Sequence, residues 1–221
     1  MKVLIPAKSI SKRVALKNFR PFYQNKSLVD IKVEQVLIAF SPTDVYLSCD
    51  DPAYSEVADR YGIHFVLRSK EYAHEEIPWP VSFAGIVSEL PVSEEEDIFW
   101  TEVVNPLFSD YLLFRQTWEV KKKEGYDSML LVSSLRKFLF NSEGHPANFL
   151  YGHWHTYSQE IRPFYSWDSV CVMQKALMLR FGYPIGRKPF FFKSESPSID
   201  IDTLEEFNMA QTVYERTIER K

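Results

Sequence analysis

Within its first 68 residues the chain alternates short apolar runs with helical stripes, and this alternation constrains the fold more than any other feature. Val3-Leu4-Ile5-Pro6-Ala7 reads as a buried first strand. After a turn region from Pro21 to Ser27, Leu28 to Phe40 places apolar residues at 28, 29, 31, 33, 36, 37 and 38, the stripe of a helix. Asp44-Val45-Tyr46-Leu47-Ser48-Cys49 is a second strand, ending in the acidic pair Asp50-Asp51. Asp51 and Pro52 then open a helix that Gly62 closes, and Ile63 to Arg68 forms a third strand. Strand, helix, strand, helix, strand at this spacing is the signature of a parallel sheet with crossover helices. Such sheets bind ligands outside the carboxyl ends of their strands.

At the carboxyl end of the first strand stands Lys8-Ser9-Ile10-Ser11-Lys12-Arg13-Val14-Ala15-Leu16-Lys17-Asn18, a loop with four cations and two hydroxyls. These groups, with free backbone N–H donors, suit a nucleotide triphosphate; a solvated basic loop is the alternative. The net charge of the whole chain is −4, so it carries no footprint for general nucleic-acid binding. Cys49 and Cys171 lie far apart in apolar runs and read as buried free thiols of a reducing compartment. No run approaches the roughly 18 apolar residues of a membrane span, and the start is too short for a signal h-region, so the expected location is cytoplasmic.

Further along, Ser69 to Glu96 is acidic and interrupted by prolines, with a helix expected from Val81 to Leu90 and loops that could act as a lid. Ile98 to Leu107 reads as a strand and its exit, Phe108 to Lys123 as a helix, and Ser128 to Ser133 as a strand. Regular alternation stops between Leu135 and Pro163. There the chain carries Phe138, Phe140, Phe149, Tyr151, Trp154 and Tyr157, a density of rings that suits a protein–protein surface. His153 and His155 would share one face of a strand, but two metal ligands alone are weak evidence. Near the end, alternation across Ser198-Ile199-Asp200-Ile201-Asp202 points both aspartates to one side, ahead of a helix opened by Thr203. That arrangement suits Mg²⁺; the alternative is a solvated strand end with Asp202 as a cap.

The loop pattern Pro6-Ala7-Lys8-x-x-Ser11-Lys12-(four residues)-Lys17-Asn18 resembles the nucleotide-binding loop of the CMP-sialic acid synthetase family of cytidylyltransferases. Lys8 stands where that family usually has arginine, and Ile10 where it has glycine. Lysine keeps the charge but loses the planar fork. Ser48-Cys49-Asp50-Asp51, Ala58, Gly62 and Arg68 continue the likeness; Asp50-Asp51 reads as a helix-capping pair, and Arg68 would lie near the base and ribose. Pro106-Leu107 brings Glu102 to the place of a cytosine-reading glutamine and Asn105 to that of a serine. Gln159 and Tyr165 match residues that contact a sugar acid, while Ser158, Asp168 and Ser169 replace an arginine, an asparagine and a glycine. Asp168 would repel an acidic substrate unless protonated or offset by Arg162. Asp200, Asp202, Thr203, Glu206 and Phe207 stand as in the family's metal segment.

The resemblance implies one domain over residues 1–221: a three-layer α/β/α nucleotidyltransferase fold (GT-A-like, Rossmann-type) with a mainly parallel sheet and a dimerisation insert at about 136–165. It implies transfer of CMP from CTP to a sialic-acid-like keto sugar acid, with release of pyrophosphate, by a Mg²⁺-dependent homodimer. Lys8, Lys17, Asp200 and Asp202 would be catalytic, with Asp200 and Asp202 holding Mg²⁺. Lys8, Ser9, Ser11, Lys12, Lys17, Asn18, Arg68, Glu102 and Asn105 would bind the nucleotide, and Gln159, Arg162, Tyr165 and Asp168 the acceptor. The departures leave two alternatives: a cytidylyltransferase for another acid, such as a phosphonate, or a nucleotide-binding relative without catalysis.

Overall fold

A strand covered on both faces has no polar side to show, and Val45–Cys49 is buried at every position. In the computed structural model, which describes residues 1–73 and 76–219, this strand is one of a seven-stranded sheet. The elements in chain order are β1 (Lys2–Pro6), β2 (Pro21–Tyr23), β3 (Lys26–Ser27), α1 (Leu28–Leu37), β4 (Val45–Cys49), α2 (Ser55–Tyr61), β5 (His64–Leu67), α3 (Trp79–Ser88), β6 (Asp97–Thr101), α4 (Tyr111–Lys123), β7 (Ser128–Leu135), β8 (Phe164–Gln174), α5 (Lys175–Phe181), β9 (Pro189–Lys193) and α6 (Leu204–Ile218). The sheet runs β5-β4-β1-β6-β8-β7-β9. Its pairs are parallel except those of β8, which lies antiparallel to both β6 and β7.

Two cores make the three layers. Val3, Ile5, Val45, Leu47, Phe99 and Met129 face α1, α2, α4 and α6, whose Val33, Val57, Phe114 and Phe207 are buried against them. Leu4, Tyr46, Ile98, Trp100 and Leu130 face the other way, onto Phe83 and Val87 of α3 and Met178 of α5. Alternate residues of one strand thus fill opposite cores, as the pleat requires. Both cysteines are buried and free. Among the described residues no helix is long and apolar enough to cross a membrane.

Several details differ from the expectation. The 21–27 region is a small hairpin, β2–β3, turned by Gln24 and Asn25 at φ 46 and 64. Pro52–Tyr54 is a 3₁₀ turn before α2, α3 starts at Trp79, and α4 starts at Tyr111 rather than Phe108. His153 and His155 do not share a strand face: the 136–163 segment forms no strand, but a bridge between Phe140 and Pro146 and 3₁₀ turns over Gly152–Trp154, which holds His153, and Ser158–Glu160. The 11-residue β8 carries a bulge, because Leu130 pairs with Cys171 while Val132 pairs with Trp167. Ser169, at φ 58, is the left-handed residue in that bulge.

Candidate active site

β1, β4, β5 and β6 end on one edge of the sheet, and the loop after β1 folds over it. Asp50, at the end of β4, accepts from the backbone N–H of Ser9 at 2.8 Å and from its hydroxyl at 2.7 Å. Burial works to raise the Asp50 carboxyl, but the Ser9 bonds outweigh it and hold it below its ordinary value. The helix-capping role expected for the pair falls to Asp51 alone, which accepts from Ala53 N–H at 2.9 Å. Asp50 instead pins the cationic loop. The loop closes on itself where Asn18 Nδ2 donates to the Lys8 carbonyl at 2.9 Å, and Leu16 takes φ 51 to make the turn.

The loop then meets the chain's far end. Lys17 is buried; its ammonium donates to the Ile201 carbonyl and lies 3.6 Å from Asp202 Oδ1. Burial lowers the Lys17 ammonium, against the opposing pull of Asp202 and Asp200. Arg13 Nη2 lies 2.7 Å from the same Asp202 oxygen. Asp202 is oriented by its own helix start: Glu206 accepts from the N–H groups of Asp202 and Thr203, and the Thr203 hydroxyl accepts from Glu206 N–H. This is the capping box that opens α6, so Thr203, not Asp202, is the cap.

Between these parts lies a cavity of about 410 Å³. Lys8, Ser11, Lys12, Arg13, Lys17 and Asn18 line its cationic side, Asp200 and Asp202 its acidic edge, and Arg68 and Glu102 its interior. Arg68 is 2 % exposed and donates to the Ser48 hydroxyl and carbonyl, so β4 fixes its fork. Glu102 accepts from the Trp100 indole N–H at 3.2 Å. Burial raises its carboxyl above the ordinary range, with the Trp100 bond acting against it. Trp79, Phe83, Ile86 and Trp100 form an apolar wall.

Burial, then the charge of Asp202, push the Asp200 carboxyl up. Crowded carboxylates of this kind fit a divalent cation, whose charge would relieve the crowding. Among the described residues no group of three or more histidine, cysteine or acidic side chains is placed to hold a metal. The two aspartates would therefore share such an ion with phosphate oxygens and water, the usual habit of Mg²⁺.

Other expected site residues lie elsewhere. Ser9 is turned to Asp50, and it acts by holding the loop. Asn105 is 1 % exposed and donates from Nδ2 to the Ser198 hydroxyl at 3.1 Å, outside the cavity lining. Gln159 and Arg162 are exposed, and Tyr165 packs on Phe191 with the Lys193 ammonium 5.0 Å above its ring. Asp168 is buried and accepts from the Ser133 hydroxyl at 2.5 Å; burial raises it, its hydrogen bonds to Ser133 and Ser198 act the other way, and its partners are these serines rather than Arg162. These four do not line the cavity of the single chain. Conversely, Arg13 and the Trp79–Trp100 wall belong to the cavity and were not assigned roles from sequence. For Arg13 the one signal was its place among the four cations of the loop.

A mainly parallel α/β sheet with a cationic loop after its first strand, closed against two carboxylates near its last helix, defines a nucleotidyltransferase architecture. Residues 2–157 match the family model described as cytidylyltransferase, and the chain belongs to that family. No curated protein matches the sequence. Similar solved structures include a CMP-2-keto-3-deoxy-manno-octonic acid synthetase complexed with CTP, at 12 % identity and TM-score 0.66 over 98 % of each chain. A glucose-1-phosphate thymidylyltransferase from Bacillus anthracis matches at 10 % identity and TM-score 0.66, over 96 % of this chain and 94 % of the other. A 4-diphosphocytidyl-2C-methyl-D-erythritol synthase from Anaerococcus prevotii matches at 11 % identity and TM-score 0.64, over 97 % and 96 %. At such identities the likeness is one of fold.

Proposed function

We propose that this cytidylyltransferase takes CTP and transfers its CMP to a small acidic acceptor, a sialic-acid-like keto sugar acid, releasing pyrophosphate. The observation that carries the reading is one cavity in which four loop cations face Asp200 and Asp202, with Arg68 and Glu102 deeper inside. The structure similar to this chain that was solved with CTP acts on another keto sugar acid, which supports the same nucleotide and acceptor class here.

In this reading Lys8, Lys12, Arg13 and Lys17 hold the triphosphate. Lys17 is placed by the Ile201 carbonyl and Arg13 by Asp202 before the nucleotide arrives. Asp200 and Asp202 would hold Mg²⁺, which offsets the charge that gathers on the phosphates as pyrophosphate leaves. An acceptor hydroxyl oxygen forms a bond to the α-phosphorus while the bond from that phosphorus to the bridging oxygen breaks. Its proton passes to water. The chain's contribution is alignment and charge. Arg68 and Glu102 face the nucleoside end.

A cytidylyltransferase for a different acid, such as a phosphonate, is the second reading. It is favoured by Gln159, Arg162, Tyr165 and Asp168 lying off the cavity, so that the sugar-acid contacts of the first reading would have to come across a dimer. Pyrophosphate release from CTP with a panel of keto sugar acids and phosphonates separates the two. Asp202→Ala should abolish turnover while the protein still melts cooperatively; wild-type turnover in that variant would refute the site.

A further inference from the structure

Lys32 is a lysine of α1 with no surface at all, 0 % exposed, inside the core under the sheet. Its ammonium donates to the Asn105 carbonyl at 2.7 Å and to the Tyr111 hydroxyl at 2.7 Å. One turn on, Gln35 Nε2 donates to the Pro106 carbonyl at 2.7 Å. Positions three apart share a helix face, so α1 grips two consecutive carbonyls of the β6 exit. That exit in turn holds the segment bearing the two aspartates. Ile201 N–H donates to the Val104 carbonyl at 3.1 Å, and Asn105 Nδ2 donates to the Ser198 hydroxyl at 3.1 Å. Ile201 also supplies the carbonyl that receives Lys17.

We infer that Lys32 is a positioning residue of the active site: its buried amine fixes the β6 exit, and through it the 198–202 segment that carries Asp200 and Asp202. This rests on the reading of that segment as part of a CTP site. A mere packing role would be better filled by an apolar side chain, because a cation buried without a counter-charge is costly. The groups facing the amine are Asn105 on the β6 exit and Tyr111 on α4, whose hydroxyl lies 2.9 Å from Thr101 Oγ1 on β6. Of these only Tyr111 titrates, and burial pushes it upward, away from neutrality. On α1 itself, Asp30 pairs with Arg60 and Glu34 with Lys26. Burial alone brings the Lys32 amine down to about 7. An ammonium donates a stronger hydrogen bond than a neutral amine, so the grip on Asn105 is firmest in acid and relaxes as the amine loses its proton.

The test is the affinity for Mn²⁺ with CTP, read from the electron paramagnetic signal of free Mn²⁺, for the wild type and Lys32→Met. It is run from about pH 6 to about pH 8, on either side of the amine's value of about 7. Titration of CTP itself, and of groups that Lys32 does not reach, is common to both proteins and cancels in the ratio. Lys32→Met should bind about tenfold more weakly at the acid end, the worth of one charge-assisted hydrogen bond. The gap should narrow as pH rises. Equal affinities throughout, or a gap independent of pH, would overturn the inference. If Lys32→Met fails to fold, Tyr111→Phe, which removes one of the amine's two acceptors, takes its place: weaker binding supports the inference and unchanged binding overturns it. A wild type that takes up no Mn²⁺ with CTP refutes the functional reading itself, a result distinct from any difference between variants.

Discussion

Ser169 holds φ 58 in the middle of β8, and its carbonyl accepts from Glu102 N–H at 3.1 Å. A residue with a Cβ in the left-handed region carries strain of about 1 kcal/mol or more, which glycine relieves. Ser169→Gly should therefore raise the urea midpoint, while Ser169→Val should lower it with the sheet still formed; chemical denaturation followed by circular dichroism measures both. Glu102 carries the second expectation at this scale. An ionised carboxylate only accepts, so it repels the cytosine N3 lone pair but takes a hydrogen bond from uracil N3–H. Glu102→Gln should raise the ratio of CTP to UTP affinity severalfold, since a regained hydrogen bond contributes about 0.5–1.5 kcal/mol. Loss of charge near the phosphates affects both nucleotides and drops out of the ratio. Titration calorimetry on both proteins checks it, and an unchanged ratio would mean that Glu102 does not read the base.

Among the elements, the start of α6 links stability to the site. Thr203 and Glu206 form a capping box that also receives Asp202 N–H. Thr203→Ala should cost about 1 kcal/mol of stability. It should also weaken binding of Mg²⁺ with CTP, because Asp202 would lose its fixed approach; urea unfolding and calorimetry read the two effects. That Thr203 opens α6 was legible in the sequence, as were β1, β4, β5 and most of α1 from their periods, but the part of Glu206 in the box emerged only from the structure. The role of Asp50 was not. An acidic pair ahead of Pro52 reads as a cap, and only the approach of Ser9 reveals that Asp50 pins the loop instead. The strand through Asp168 was hidden as well, because the bulge at Ser169 breaks the two-residue period that marks a strand.

For the whole molecule, the aromatic insert predicts assembly. Trp154, Tyr151, Tyr157 and Phe140 are each more than 60 % exposed, more ring surface than a monomer ordinarily leaves in water. Light scattering should give twice the 26.0 kDa chain mass, and Tyr151→Asp with Trp154→Asp should give the single-chain mass with the sheet intact. A monomeric wild type with full turnover would refute the homodimer. The sequence by itself determined the alternating α/β plan, the cationic loop at the first strand's edge and the aspartate pair before the last helix. Each is written in a few adjacent residues whose period, cap or charge acts locally. Tertiary structure alone decided that β8 runs antiparallel between β6 and β7, that Arg13 and Lys17 close on Asp202, and that a buried Lys32 grips the β6 exit. Those contacts join residues far apart in the chain, and their energy depends on burial and register that exist only once the sheet has formed.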